Sequence, residues 1–200
     1  MSNVSTKERI LAAAEQVILA QGFAATSIED ILQKSAITKS GFFYHFANKQ
    51  DLARALVMRY LNNDAAFFDS LFQRADELVE DPLQRLLLFL KLLAEAMQNL
   101  EQAHPGCLVV TFTYENYQLD SQIDDLMRSG VKSWQELIAK RLAIVCKERA
   151  LPEGIAINDL ADMFTASIEG GILFSRIFKS NERLVKQILL YRDYLMRLFV

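Results

Sequence analysis

Closely spaced helix-start signals in the first fifty residues constrain the fold more than any other feature of this sequence. STKE at residues 5–8 and TSIE at residues 26–29 have the spacing of a capping box, in which a hydroxyl and a carboxylate satisfy free N–H groups at a helix start. Thr38 can cap a third helix, and NKQD at residues 48–51 opens a fourth. Gly22 ends the first helix, because glycine adopts the left-handed conformation that often follows one. The start of the chain is therefore predicted to be a cluster of short helices.

The remaining 150 residues show longer helical periods. Only seven glycines and three prolines interrupt the 200 residues, so we predict an all-α fold. Helices are predicted over residues 49–79, 83–103, 107–117, 121–150, 158–178 and 181–199. We expect an N-terminal domain over residues 1–48 and a helical domain over residues 49–200.

Composition excludes several classes of protein. Hydrophobic residues make up 52% and charged residues 24%, which rules out a disordered chain. The longest apolar run covers residues 86–90 and is far shorter than the roughly 20 residues that cross a bilayer. With no apolar signal core near the start and two scattered cysteines, the sequence predicts a cytoplasmic protein without a membrane segment, disulfide framework, metal or cofactor.

Charge is unevenly spread along the chain. Net charge is −3 overall, but residues 1–60 hold seven Lys and Arg against five Asp and Glu. Two short helices joined by the tight turn at residues 35–37 also have helix-turn-helix dimensions. A short helix beginning TKSG fits the major groove and offers N–H groups and hydroxyls to phosphate. The N-terminal domain is therefore a candidate DNA-binding module.

Three further motifs make this domain resemble a known family. GFAATSIEDI at residues 22–31, AITKSGFFYHF at 36–46 and NKQDL at 48–52 resemble the N-terminal domain of TetR-family transcriptional repressors. The resemblance implies a dimer that places two recognition helices in successive major grooves of a near-palindromic double-stranded operator. It also implies that a small-molecule effector bound in the helical domain releases the DNA.

The resemblance also implies which residues contact DNA. Thr26 and Ser27 are similar in position to phosphate contacts at the start of the second helix, and Lys49 to a phosphate-binding lysine. The groove-facing positions implied in the third helix and its start are Thr38, Lys39, Ser40, Gly41, Phe43, Tyr44 and His45. Three positions depart from the family pattern: Phe43 stands where tyrosine is usual, Ala47 where a basic residue is frequent, and Ala36 where glycine is frequent. A left-handed backbone at Ala36 would cost about 1 kcal/mol, because alanine has a Cβ.

Aromatic and sulfur-containing side chains are candidates for the effector pocket. Most are expected in the core, but the resemblance implies that some line a pocket, and no basic residue stands out to bind a carboxylate. We therefore expect an apolar or aromatic effector. The candidates are Phe68, Phe89, Met97, Cys107, Phe112, Tyr114, Tyr117, Trp134 and Phe164.

Cys107 allows two interpretations. It follows Gly106 and lies three residues after His104, which could lower the pKa of the thiol and make it an oxidant sensor. A GCL element at residues 106–108 resembles one found in some sensing members of the family. Free cysteine is, however, more often a small buried hydrophobe.

The last two helices are expected to form the dimer interface. Adjacent glycines at residues 170 and 171 interrupt a helix and would be explained by close helix approach in a dimer. The expected interface residues are Ile168, Gly171, Ile172, Phe174, Ile188, Tyr191 and Leu195. The alternative is a helix pair buried within one protomer.

Two other classes of function compete with a DNA-binding repressor. An enzyme would have to rely on His104 and Cys107, which lack a third orienting group, so we predict no enzymatic activity. A helical regulator that has lost DNA binding and acts through protein partners is compatible with the departures at Phe43 and Ala47.

Overall fold

The computed structural model describes residues 5–115 and 119–199. The regular elements within these residues are helices, as the sequence predicts. They are α1 (Thr6–Gln21), α2 (Ile28–Ser35), α3 (Lys39–His45), α4 (Lys49–Leu78), α5 (Pro82–Gln98), α6 (Leu108–Thr113), α7 (Ser121–Val145), α8 (Ile157–Phe178) and α9 (Glu182–Leu198).

Local capping chemistry sets the beginnings of the first helices. The Ser5 hydroxyl accepts from the Glu8 N–H at 3.2 Å, and the Thr38 hydroxyl accepts from the Gly41 N–H at 3.2 Å. Gly22 follows α1 with φ of 89°, so its role as a helix stop is confirmed. The second capping box is predicted one residue too early, since Ser27 rather than Thr26 caps α2.

Three helices end earlier than the apolar pattern predicts. Helix α5 ends at Gln98 rather than 103, α6 at Thr113 rather than 117, and α7 at Val145 rather than 150. After α7 the chain forms turns, and the Arg149 guanidinium there binds Asp81, the N-cap of α5, at 2.6 Å. The residues just after α7 therefore take part in a long-range ion pair, which the local sequence pattern does not encode.

The chain divides into two compact units within α4 and α7. Unit 1 comprises the described residues of Met1–Asn63 and Gly106–Gly130, and unit 2 those of Asp64–Pro105 and Val131–Val200. The predicted boundary between residues 48 and 49 falls at the start of α4, whereas the units separate after Asn63.

Unit 1 packs α1 to α3 and the first half of α4 around apolar side chains. Arg59 of α4 binds α1, since its Nε donates to Glu8 at 2.6 Å and its guanidinium also pairs with Glu15. Fully or almost fully buried side chains of unit 1 include Ile10, Ile18, Phe23, Ile31, Phe42, Phe46, Leu52 and Leu56.

Unit 2 has its core between α5, α8 and α9. The rings of Phe72 and Phe89 stack with centroids 3.7 Å apart. Gly171 of α8 lies directly against α9, because a Cβ on it would come within 2.9 Å of the Leu184 Cα. Close approach at this glycine therefore occurs inside one protomer. Among the described residues, no helix is long and apolar enough to span a membrane.

Candidate nucleic-acid interface

Helices α2 and α3 are joined by a three-residue turn whose geometry depends on Ala36. This residue adopts the left-handed conformation, with φ of 53° and ψ of 41°, and its N–H donates to the Leu32 carbonyl. Ala36 therefore adopts the left-handed conformation whose cost the sequence analysis considered, and alanine bears the strain that glycine would avoid.

The N-terminal turn of α3 presents small polar groups to solvent. Thr38, Lys39 and Ser40 are exposed, and the Thr38 and Ser40 hydroxyls lie 3.2 Å apart. Gly41 allows this turn to pack closely, because a Cβ there would lie 2.9 Å from the Ile37 Cγ2. Lys39 faces Glu29 at 3.6 Å in an ion pair whose members are both about 70% exposed, which leaves the lysine free to rearrange.

The aromatic residues of α3 divide between core and surface. Phe42 is fully buried, whereas Tyr44 is 85% exposed and Phe43 44% exposed. The half-buried His45 ring meets the Tyr44 ring edge to face, with centroids 4.9 Å apart. Tyr44 therefore extends from a helix that the Phe42 ring anchors in unit 1.

Thr26 and Ser27 differ in what they offer a phosphate. Thr26 is 2% exposed and its hydroxyl donates to the Gly22 carbonyl at 2.6 Å, so its side chain closes the α1–α2 turn. Ser27 is exposed, but its N–H and hydroxyl donate to the Asp30 carboxylate at 2.8 and 2.7 Å. These two hydrogen bonds lower the pKa of Asp30 below its ordinary value.

Lys49 lies against the α1–α2 turn. Its ammonium donates to the Phe23 carbonyl and sits 4.1 Å from the centre of the Phe23 ring. Burial lowers the pKa of Lys49, while the carboxylates of Glu115 and Asp30 oppose that shift. One of its three donors is thus bound to backbone, and phosphate contact by the others stays a prediction.

A helix-turn-helix pair followed by a helical body is the arrangement of a helix-turn-helix transcriptional regulator. Residues 10–56 match the bacterial regulatory proteins of the tetR family. Residues 82–187 match the C-terminal domain of LmrA/YxaF-like transcriptional regulators. This chain therefore belongs to the TetR family of transcriptional regulators, a family of regulators rather than enzymes.

Individual relatives agree with this assignment over most of their length. The HTH-type transcriptional regulator YxaF of Bacillus subtilis is 26% identical over 87% of this chain and 86% of its own. The HTH-type transcriptional repressor DhaR of a Mycobacterium species is 22% identical over 92% and 89%. A crystal structure of a regulatory protein TetR from Rhodobacter sphaeroides superposes with a TM-score of 0.77 at 25% identity, covering 98% of this chain and 100% of the other.

The predicted effector residues are distributed over the two units. Cys107 and Phe112 are buried in unit 1, where Tyr114 is 81% exposed, and Tyr117 lies outside the described residues. The predicted residues in unit 2 are Phe68, Phe89, Met97, Trp134 and Phe164. Three of them form a contiguous aromatic cluster, with ring centroids of Phe68, Phe89 and Phe164 between 6.1 and 6.4 Å apart.

Most of the predicted dimer residues lie in the core of unit 2. Ile188, Tyr191 and Leu195 are at most 2% exposed, and Gly171 and Ile172 are also buried. The prediction that these buried residues form the dimer interface is therefore wrong, because α5 and α8 cover this face of α9 within the protomer. Ile168 and Phe174 are half-buried. The large apolar residues that α8 and α9 expose are Met163, Leu173, Ile177, Phe178, Leu190, Tyr194 and Met196.

Sequence reasoning missed two carboxylates near the DNA-binding helices. Asp30 completes the capping box of α2, and the SIED pattern at residues 27–30 could have shown it. Glu115 accepts a hydrogen bond from the Ala24 N–H, 91 residues away in the chain, which no local pattern encodes.

Proposed function

We propose that this protein is a cytoplasmic, homodimeric repressor that binds a near-palindromic DNA operator through α3 and is released by a small-molecule effector. Its two recognition helices would enter major grooves about 34–36 Å apart, one helical turn of DNA. Direct base readout would come from α3, and phosphate contacts from the groups around it.

The exposure of Tyr44 carries the DNA-binding part of this proposal. Phe42 and Phe46 on the same stretch are buried, yet Tyr44 presents 85% of its surface to solvent beside the hydroxyls at the start of α3. An aromatic ring with a phenol can contact sugar and thymine methyl groups and also donate to a base or phosphate. Tyr44 therefore extends the polar surface of Thr38, Lys39 and Ser40 along α3.

Phosphate contacts are proposed for the positively charged and capping residues around α3. Lys39 is held only by a solvent-exposed ion pair, so it can exchange Glu29 for a phosphate at little cost. Ser27 would have to give up its bonds to Asp30, and Thr26 is assigned to the turn rather than to DNA. Gly41, Phe43, His45 and Lys49 complete the proposed interface.

An apolar or aromatic effector is supported by the composition of unit 2. The ring cluster of Phe68, Phe89 and Phe164 extends to Tyr191, whose ring centroid lies 5.6 Å from that of Phe164. Met97 and Trp134, which lie in the same unit, are further candidates for contact with the effector.

Homodimerisation is supported by exposed apolar pairs on the last two helices. Leu173 and Ile177 are 56% and 59% exposed on α8, and Leu190 and Tyr194 are 50% and 37% exposed on α9. Each pair is spaced four residues apart and lies on one helix face. Apolar faces of this kind mark association surfaces.

The test is fluorescence anisotropy on DNA enriched from a random pool, measured over a salt series. Tyr44→Ala should weaken specific binding at least ten-fold, since base contacts contribute about 1–3 kcal/mol each. Lys39→Ala should reduce the slope of log K against log salt by about 0.9 per protomer, or about 1.8 for the proposed dimer, because each protomer loses one phosphate contact. Lys140→Ala, which removes an exposed lysine of α7 in unit 2, is the matched control for the salt dependence.

Failure to enrich any sequence would reject the DNA-binding proposal. Binding that ignores salt and Tyr44→Ala would instead favour a regulator that acts through protein partners. Effector candidates can then be screened as compounds that release the enriched DNA and raise the melting temperature of the wild-type protein.

A further inference from the structure

One peptide group in the α1–α2 turn is held from both sides by charged side chains. The carbonyl of the Phe23–Ala24 peptide accepts from the Lys49 ammonium, and its N–H donates to the Glu115 carboxylate. Lys49 begins α4, whereas Glu115 follows α6, so two distant parts of the chain meet at one peptide. We call this group of three, namely Glu115, the Phe23–Ala24 peptide and Lys49, the turn latch.

Packing around the turn latch fixes its parts. The Phe23 ring meets the Phe112 ring of α6 edge to face, with centroids 5.2 Å apart, and carries Lys49 on its face. Gly22 makes room for the carboxylate, because a Cβ at this position would collide with Glu115 Oε1. The same glycine has φ of 89°, which side-chain-bearing residues rarely adopt.

The segment that carries Glu115 is connected to unit 2 at both ends. Residues 106–130 belong to unit 1, but the chain before Gly106 and after Gly130 belongs to unit 2. An ion pair also holds the segment to α4, with Arg54 Nη2 2.8 Å from Asp120 Oδ2.

We propose that Glu115 is a positioning residue that holds Lys49 in place for DNA, and that full operator binding requires an intact turn latch. The proposal rests on the proposed function. A hydrogen bond to the N–H of a peptide strengthens its carbonyl as an acceptor, so Glu115 strengthens the hold on Lys49. A lysine that is already ordered loses less side-chain entropy when its remaining donors bind a phosphate.

Loss of the Glu115 carboxylate should loosen Lys49 and weaken operator binding. Inter-site couplings typically change affinity about 5–150-fold, and we expect Glu115→Ala to raise the operator Kd at least about five-fold. In a Lys49→Ala background the same substitution should have almost no further effect, because Lys49 carries the coupling. Glu115→Gln keeps an acceptor for the Ala24 N–H and should give an intermediate Kd.

A second readout does not depend on DNA. Hydrogen exchange of the Ala24 amide, followed by NMR on the full-length protein, should be slow in the wild type and at least about ten-fold faster in Glu115→Ala. Asp125→Asn is the matched control, since it removes an exposed carboxylate of α7 within the same unit. It should leave Ala24 exchange unchanged.

Each outcome decides a separate part of the proposal. Equal Ala24 exchange in wild type and Glu115→Ala would overturn the turn latch itself. Faster exchange with an unchanged operator Kd, or additive effects of Glu115→Ala and Lys49→Ala, would overturn its control of DNA binding. If the wild type binds no operator, the proposed function fails, while the exchange measurement still reports whether Glu115 holds the turn.

Discussion

The phenol of Tyr191 donates a hydrogen bond of 2.9 Å to the carbonyl of Leu160 in the interior of unit 2. This bond links α9 to α8 and occupies the polar end of a side chain that is only 2% exposed. Tyr191→Phe should therefore lower the free energy of unfolding by about 1 kcal/mol, because the carbonyl loses a partner in a buried position. Urea unfolding at pH 7 measures the change, and an unchanged midpoint would contradict it.

Burial of Tyr191 also predicts how stability depends on alkaline pH. Removal from water raises the pKa of the phenol above its ordinary value near 10. Between that value and the raised one, the unfolded chain releases the phenol proton while the folded chain keeps it, so stability falls as pH rises. Stability from this group should be fully present at pH 8 and partly lost at pH 11.

The Tyr191→Phe variant provides the control for this pH effect. Other tyrosines and the lysines titrate in both proteins, so the difference between wild type and variant isolates Tyr191. The stability difference between the two proteins should shrink or reverse between pH 8 and pH 11 in urea unfolding. A difference that stays constant over this range would show that Tyr191 does not titrate on unfolding.

Adjacent glycines in α8 provide a second, internally matched prediction. A Cβ on Gly171 would lie 2.9 Å from the Leu184 Cα and force α8 and α9 apart, whereas a Cβ on Gly170 would meet nothing within 4 Å. Gly171→Ala should destabilise the protein by about 1–3 kcal/mol through overpacking. Gly170→Ala should be neutral or stabilise by up to about 1 kcal/mol through helix propensity. Equal thermal shifts for the two variants would refute the close helix contact.

The turn of the helix-turn-helix contains strain that glycine would remove. Ala36 has φ of 53°, a conformation costing roughly 1–2 kcal/mol for a residue with a Cβ. Glycine also has a more flexible unfolded state, which offsets part of the gain. Ala36→Gly should therefore raise stability by about 0.5–1 kcal/mol in urea unfolding. A loss of stability would mean that the Ala36 methyl group makes contacts that outweigh the strain.

Helix starts and the turn could be predicted because their chemistry is local. Ser5, Thr38 and Gly22 act within four residues of themselves, and all three have the roles that the sequence indicates. The predicted N-cap of α2 is wrong by one residue, because the overlapping patterns TSIE and SIED both fit a capping box. Thr26 is buried with its hydroxyl bound to the Gly22 carbonyl, which leaves Ser27 as the cap. That choice depends on the packed turn, which the local pattern does not contain.

The partner of an apolar helix face could not be predicted from periodicity. Ile188, Tyr191 and Leu195 form a clear stripe on α9, but a stripe is equally compatible with a helix of the same chain or of a second copy. Packing of α5 beside α9 resolves this choice in favour of the protomer core. Glu115 is a related case, because its partner Ala24 is far away in sequence.

The corrected helix faces lead to a prediction about the dimer. If Leu173 on α8 and Leu190 on α9 lie in the proposed homodimer interface, Leu173→Glu should give a folded monomer, because a charge buried in an apolar interface strongly opposes association.

Sedimentation velocity measures the mass, and circular dichroism checks that the helices remain. Leu78→Glu is the matched control, since Leu78 at the end of α4 is 53% exposed, close to the 56% of Leu173. A dimer that survives Leu173→Glu and Leu190→Glu together would exclude this face as the interface. Monomer formation should also weaken operator binding, since two linked half-site contacts gain affinity from their connection.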